Sequence, residues 1–565
     1  MNETKITANR AATRTATDRT EADTQRIDRE TAEAAALEVA AATDSIQVGG
    51  MPAMTASQAE ELARGEVVTR PGESASELTL EERRDVSRSV FRLAWPAIAE
   101  NALQTLLGIV DTAVVARLGT AALSGVGAAQ QLVWVLTTAL IAVSMGTTVL
   151  IARYVGGRER ERANEVLKQS LILAAAASVL LTPVGFLSGP LMTMLGLTPE
   201  AARDGATYLS ITLFASIFIV LMFVAGAALR GAGDTRTPMM VTAFINVINA
   251  VLAVEMVFGG IRASGILSEW LTGIVHIFGG TAHISVPGLP WIPELGVAGS
   301  AWATVISRGI GTVLLLSLFL LPKARLKLFG RGSWRPNFDI IGRMLKIGIP
   351  SALEQMFMSV GILVYSFLVI GMGEVIFATS RLALNAVFIS QMPGFGFSTA
   401  ATTLVGQSLG ANSPKRALLG AQLSTRSAII WMGIMGVVFF FFGETILRIF
   451  TDDPRLLELG GDALKAIAFG QPFLAVAFVL GGALRGAGDV RYPMWVTSIA
   501  VWLVRLPTGA FLGLNVVCIP FTQVCFPGMG LGLVGIYMAL VVESALRALL
   551  MFVRFKGGKW QTMKV

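Results

Sequence analysis

The amino-acid sequence predicts an all-α membrane protein, with twelve transmembrane helices in two pseudosymmetric six-helix lobes. Three observations carry that expectation. Of the 565 residues, 53% are hydrophobic and 15% charged, with a mean hydropathy of +0.65, whereas about a quarter of a soluble chain is charged. The apolar residues fall into about twelve blocks, each near the roughly 20 residues a helix needs to cross the hydrocarbon core. One unusual phrase is written twice, as GAALRGAGDTRTPMM from Gly226 and as GGALRGAGDVRYPMW from Gly481.

The chain opens with residues 1–85, rich in Ala, Thr, Glu, Asp and Arg and poor in aromatics. Such a segment buries too little apolar surface to offset the entropy of ordering, so a largely disordered cytoplasmic tail is expected. TAEAAALEVAAA within it is a candidate for transient helix, and no apolar core follows the early basic residues as a signal peptide would require. Residues 1–86 hold 10 Lys/Arg and 17 Asp/Glu, a net −7, so with +7 overall the remainder carries +14. A basic membrane body behind an acidic tail fits cationic loops facing anionic lipid. It does not fit nucleic acid, because no basic stripe interleaved with aromatics occurs. TLEERRDVSRSV then opens with a capping-box pattern, Thr79 to Glu82, and reads as an amphipathic helix on the membrane surface before the first span.

Spans are expected near 92–116, 122–153, 168–195, 207–229, 237–259 and 296–321, and again near 343–370, 376–408, 418–450, 463–484, 493–514 and 529–553. Only helices or closed barrels satisfy their backbones in lipid, and these blocks are too long for barrel strands. The domains expected are the tail, a first lobe over 86–322, a basic cytoplasmic linker over 323–346 and a second lobe over 347–565. Lys and Arg crowd alternate loops, including Arg158, Arg160, Arg162, Arg230, Arg236, Lys415, Arg416, Arg485 and Arg491. Those loops and both termini are placed in the cytoplasm, in a multi-pass protein of the cell membrane.

The two copies of the phrase agree at 11 of the 14 positions from Gly226 and Gly481. The likeness extends to WPAIAENALQTLLGIVDTAVVARLG against IPSALEQMFMSVGILVYSFLVIGMG and to TVLIARYVGG against TTLVGQSLGA, at an offset near 254. Six spans is an even number, so both halves enter from one side as parallel repeats. Glycines let the chain turn sharply, and Pro238 or Pro493 begins the next helix. Arg230, Asp234, Arg485 and Asp489 read as caps and charge bridges at the membrane surface, with a gate contact between halves as the alternative.

Two such lobes enclose a midplane cleft, and rocking them exposes it to each side in turn, which is the logic of a secondary transporter. No Walker phosphate loop is present, since GAGDT and GAGDV lack the Lys-Ser/Thr pair. No cofactor is implied, and energy is expected from a gradient, about 2.3 kcal/mol for one charge crossing 100 mV. A membrane enzyme is disfavoured, because the two histidines, His276 and His283, lie beside no carboxylate cluster. The ionisable groups within apolar blocks are Glu100, Asp111, Glu255, Glu354 and Glu543. Asp111 lies mid-span and aligns with Tyr365, so the repeat does not demand an acid there. It is the candidate to take up and release a cation, against the alternative of a polar bridge between helices. Glu100 and Glu354 follow Pro96 and Pro350 by one turn and read as caps for the backbone the prolines free. With Gln355 and Glu255 they are the other candidate cleft groups. Cys518 and Cys525 fit no zinc pattern; they read as apolar fillers, or as a disulfide if their loop faces outside.

At GIVDTAVVARLG, ALRGAGDTRTPM, GVAGSAWATVIS and TTLVGQSLGA the chain resembles the multidrug and toxic compound extrusion (MATE) family, over about Phe91 to Phe555, and is most similar to its DinF-like prokaryotic branch. The resemblance implies an antiporter that exports small cationic or amphipathic compounds in exchange for protons or sodium; a monomer in membrane lipid is expected. It also implies a first-lobe cation site in which the family's aspartate falls on Asp111, its asparagine on Asn249 and its threonine on Thr304. Two family positions are changed. Ala253 stands where an aspartate is expected, with Glu255 about 200° further round the helix, and Gly226 stands where a further asparagine is expected. With one carboxylate and one amide lost, the proton is expected as coupling ion ahead of sodium. A flippase for lipid-linked precursors is the alternative, and it would line its cleft with cations, of which Arg505 is read as the main one within the spans. Between the fifth and sixth spans, Leu267, Trp270, Leu271, Ile274 and Phe278 share one face, expected as an interfacial helix on the outer side.

Overall fold

The computed structural model describes residues 79–563, except 139, 261–262, 267, 270–271, 273–291, 323, 330–333 and 519–524. The expectations for the tail up to residue 78, for the face from Leu267 to Phe278 and for both histidines lie outside the described residues.

The chain enters through the capping box. The Thr79 hydroxyl accepts from the Glu82 amide at 3.2 Å, and the Glu82 carboxylate accepts from the Thr79 amide at 3.0 Å. Helix α1 (Leu80–Ala116) then runs 37 residues through Pro96, so the expected surface helix is the first part of the first span. Its apolar face is covered by protein: Val86 packs with Leu419, and Val90 joins a cluster with Phe397, Ala400 and Leu404 of the second half.

The rest of the first half comprises α2 (Thr120–Thr138), α3 (Leu140–Gly156), α4 (Arg160–Leu181), α5 (Ser188–Met194), α6 (Pro199–Phe214), α7 (Ser216–Gly231), α8 (Arg236–Phe258) and α9 (Val297–Leu318). The second half holds α10 (Phe338–Ile370), α11 (Glu374–Gly410), α12 (Pro414–Leu447), α13 (Pro454–Ala468) and α14 (Gln471–Gly486). It closes with α15 (Arg491–Ile499), a π-helical stretch Ala500–Arg505, α16 (Leu506–Gly513) and α17 (Gly532–Lys556). Among the described residues, nine helices are long and apolar enough to cross a membrane, and counting each of three bent pairs as one span makes twelve. Side chains such as Leu180, Phe441 and Leu503 are at least 70% exposed, as lipid-facing positions should be. The basic linker is shorter than expected, because residues 338–346 already belong to α10. The Asn337 side chain caps that helix, and Ile340, Met344 and Ile347 form a buried stripe at helical spacing.

The repeat is visible in the backbone. The fourth span bends by 56° between α6 and α7, and the tenth by 53° between α13 and α14. Gly233 and Gly488, in the two copies of the loop, take φ of 82° and 91°, a left-handed conformation that costs glycine little. The halves also meet through symmetric contacts on the face that carries the basic loops. Gly156 of α3 packs on the Gln407 backbone of α11, and Gly410 packs on that of Arg153. Each pair is offset by 254, so the contact maps onto itself, as an isologous interface does. Gln407 donates to the Gly231 carbonyl at 3.0 Å and Arg153 to that of Ala487 at 3.0 Å, each side chain binding the repeated loop of the other half.

Between the last two spans, β1 (Val516–Cys518) and β2 (Cys525–Pro527) form an antiparallel ribbon with Cys518 opposite Cys525. Cys525 is disulfide-bonded, so for it the reading as an apolar filler gives way to the disulfide alternative.

Candidate functional site

Within the first half, three helices bring polar groups to one buried point. Asp111 lies near the far end of α1 and is 4% exposed. On α9, Thr304, Ser307 and Arg308 share a face by their i, i+3, i+4 spacing. On α8, Asn246, Asn249 and Ala253 do the same. The structure brings Asp111, Asn249 and Thr304 together. Asn249 Nδ2 donates to Thr304 Oγ1 at 3.2 Å and to Ser307 Oγ at 3.4 Å, and Thr304 Oγ1 donates to Asp111 Oδ2 at 3.4 Å. The relay is directional, since each donor leaves its own oxygen to accept. It ends on two buried acceptors, Asp111 Oδ1 and Asn249 Oδ1, that have no hydrogen-bond partner. Buried polar atoms without partners are rare in folded proteins and require an explanation.

Two further groups belong to this point, and sequence reading missed both. Arg308 is half-buried, and its charge acts on Asp111 and on the Tyr208 phenol of α6. Tyr208 is 4% exposed, and Gln130 of α2 also approaches its hydroxyl. The signal for Arg308 was available: a guanidinium in the apolar run ATVISRGIGTVLLL needs a counter-charge. The view of Arg505 as the main cation within the spans is therefore corrected, since Arg308 and Arg547 also lie inside spanning helices. A cavity of about 30 Å³ extends from Arg308 past Asn246 and Gln104 to Glu100 and Arg230, with room for a water or two.

The remaining candidates lie apart from Asp111. Ala253 is fully buried in an apolar cluster with Val114, Val254 and Ala303, so no side-chain oxygen stands there. Glu255 is 1% exposed on the same helix. Gln355 is half-buried on α10. Glu100 and Glu354 do not cap the backbone freed by the prolines, as expected, but pair with the arginines of the repeated loop. Arg230 meets Glu100 at 2.7 Å and Arg485 meets Glu354 at 3.0 Å, and Thr497 also donates to Glu354 at 3.1 Å. Each pairing leaves neither buried charge uncompensated; an uncompensated one would be strongly destabilising. Gly226 serves that bridge, because a side chain there would press on the Arg230 guanidinium at 3.2 Å. At Gly481 a side chain would only reach ordinary contact with the Arg485 guanidinium, at 3.5 Å. The loop aspartates cap and bridge as expected. Asp234 accepts from the Thr237 amide at 3.1 Å and Asp489 from Arg554 at 2.8 Å.

The second half has no copy of the acid. Tyr365 occupies the place of Asp111, donates to the Ile536 carbonyl and lies beneath the Arg505 guanidinium, 4.2 Å from its ring centroid. Glu543 there is bridged to Arg547 at 3.1 Å.

Two helical repeats meeting on one face are the architecture of two-lobed membrane transporters, a class that works by alternating access. The MatE family model matches residues 96–254 and 350–511, one stretch in each half and together more than half of the chain. The chain belongs to the MatE family. It is 33% identical over 490 residues to a probable multidrug resistance protein NorM of Thermotoga maritima, covering 86% of this chain and 96% of that one. It is 24% identical over 482 residues to an uncharacterized transporter, YisQ, of Bacillus subtilis, covering 85% and 96%. Among solved structures, one described as the outward-facing conformation of a multidrug resistance MATE family transporter of the MOP superfamily superposes with a TM-score of 0.71 at 20% identity, over 85% of this chain and 97% of that one. At that identity the superposition speaks for the fold, twelve spanning helices in two lobes.

Proposed function

We propose that this chain, working as a monomer, is an antiporter that exports small cationic or amphipathic compounds by alternating access, driven by a proton carried at Asp111. The observation that carries the reading is the unpartnered Oδ1 of Asp111 at the end of the Asn249–Thr304 relay. A proton needs one such oxygen. Sodium needs several, and Ala253 and Gly226 take away the carboxylate and the amide that the resemblance implies there, which leaves Asp111 Oδ1 and Asn249 Oδ1 as the unpartnered acceptors. The multidrug resistance relative from Thermotoga supports the substrate class. Asp111, Asn249 and Thr304 form the coupling group in this reading, and Glu100, Glu354, Gln355 and Glu255 serve other purposes.

A fluorescent organic cation in proteoliposomes tests it. An imposed pH gradient is expected to drive exchange, a sodium gradient at equal pH is not, and Asp111→Asn is expected to abolish the pH-driven component. Exchange that follows sodium, or that survives unchanged in Asp111→Asn, would overturn the coupling assignment. The flippase reading draws on the half-buried guanidinium of Arg308 and the buried one of Arg505, which suit a phosphate. Translocation of a lipid-linked diphosphate without exchange of the cation would decide for it.

A further inference from the structure

A second polar cavity lies away from the Asp111 site, on the face that carries the basic loops. It has a volume of about 300 Å³ and is lined by Arg92 of α1, Gly233, Asp234 and Thr235 of the first repeated loop, Arg236 at the start of α8, and Arg325 beyond α9. Three arginines therefore stand against one aspartate. Asp234 is engaged by its own turn, accepting from the Thr237 amide at 3.1 Å and hydroxyl at 2.6 Å. Arg325 donates to the Ala232 carbonyl at 3.2 Å. Among the described residues, the side chains of Arg92 and Arg236 make no hydrogen bond or ion pair.

The repeat supplies an internal comparison. In the second half Asp489 is bound by Arg554 at 2.8 Å, and that guanidinium lies 5.1 Å from the Tyr492 ring centroid. The C-terminal turn beyond it buries Trp560. Arg554 thus neutralises the loop aspartate of the second half, whereas in the first half Asp234 is held by its own turn and the arginines lining the cavity leave it unpaired.

The surface leading away from this cavity is apolar. From Arg236, α8 presents Met240, Phe244, Val247 and Val251 at helical spacing, exposed by 57, 52, 66 and 39%. One turn along α1 from Arg92, Trp95 is 68% exposed. The Thr235 hydroxyl donates to the Arg92 carbonyl at 3.4 Å, so the two helices present cations and apolar stripe as one seam. A phosphate fits the arginines, and only a phosphate that carries a hydrocarbon chain fits both.

We propose that this pocket binds the phosphate headgroup of an anionic membrane lipid, with an acyl chain along the Met240–Val251 stripe of α8. The site is independent of the coupling assignment at Asp111. Native mass spectrometry of the purified full chain tests it, with phosphatidylglycerol, phosphatidylcholine and inorganic phosphate as probes. Phosphatidylglycerol is expected to be retained over phosphatidylcholine and to survive an excess of inorganic phosphate. Arg92→Gln with Arg236→Gln should weaken it roughly fivefold for each arginine removed. Arg160→Gln with Arg416→Gln, which takes two exposed cations from other loops of the same face, should leave it unchanged. Equal losses in both double variants, no loss in the first, or displacement by inorganic phosphate would overturn the proposal. Should the first double variant fail to fold, Arg236→Gln alone carries the same test, because that side chain is exposed and supports no contact.

Discussion

Replacing Gly410 by alanine should open the molecule on its basic-loop face. A β-carbon on Gly410 would lie 2.9 Å from the carbonyl carbon of Arg153, where ordinary contact begins at 3.4 Å. The helices must therefore part by at least 3.4 − 2.9 = 0.5 Å, and by more to clear the Arg153 carbonyl oxygen, which lies closer still. The neighbour is backbone held within α3, so no rotamer change relieves it. Overpacking of this kind costs about 1–3 kcal/mol. The contact joins the halves in the arrangement closed on the basic-loop face, so the cost falls on that arrangement. By the Boltzmann relation the closed population drops about 5- to 160-fold relative to the open one. Spin labels on cysteines introduced at Arg160 and Arg416, one on each half, read the separation directly. A longer-distance population should appear in Gly410→Ala and, by the symmetry of the contact, in Gly156→Ala. A distance distribution unchanged in both variants would refute the claim that glycine at these positions is required for closure.

Two further outcomes follow from the charged groups. Arg230→Gln strands Glu100 in a buried position and should lower the thermal stability of the detergent-solubilised protein. The cost of breaking a fully buried pair is about 3–5 kcal/mol, reduced here because the arginine side chain is 17% exposed; adding Glu100→Gln should restore most of the loss in a double-mutant cycle. Arg308→Gln removes the cation beside Asp111 and should let sodium compete with the proton, seen as sodium inhibition of pH-driven exchange that the wild type lacks.

Much of the architecture was legible without coordinates. The apolar blocks report the spans because lipid leaves the backbone no alternative to a helix of that length. The 254-residue offset between WPAIAENALQ and IPSALEQMFM carried the two-lobe symmetry, since a repeat in the chain becomes a repeat in space. Capping at Thr79 was legible for the same local reason: its partners are three residues apart. The misread features all depended on what lay opposite. Glu100 sits one turn from Pro96, but Arg230, 130 residues further along the chain, claims it. Arg308 stands out in the apolar run ATVISRGIGTVLLL, but its partner, Asp111, is 197 residues away in the chain and is met only where α9 packs near α1. The cysteines looked like fillers until a ribbon set them face to face.

Sequence alone determined which stretches cross the membrane, where the chain turns and which half keeps an acid, because those properties depend on composition and on neighbours within a few residues. Tertiary structure decided which oxygen of Asp111 is left without a partner, which glutamate meets which arginine and where two backbones touch. Those outcomes depend on distances between helices that are remote in the chain, set only when the side chains of both have packed.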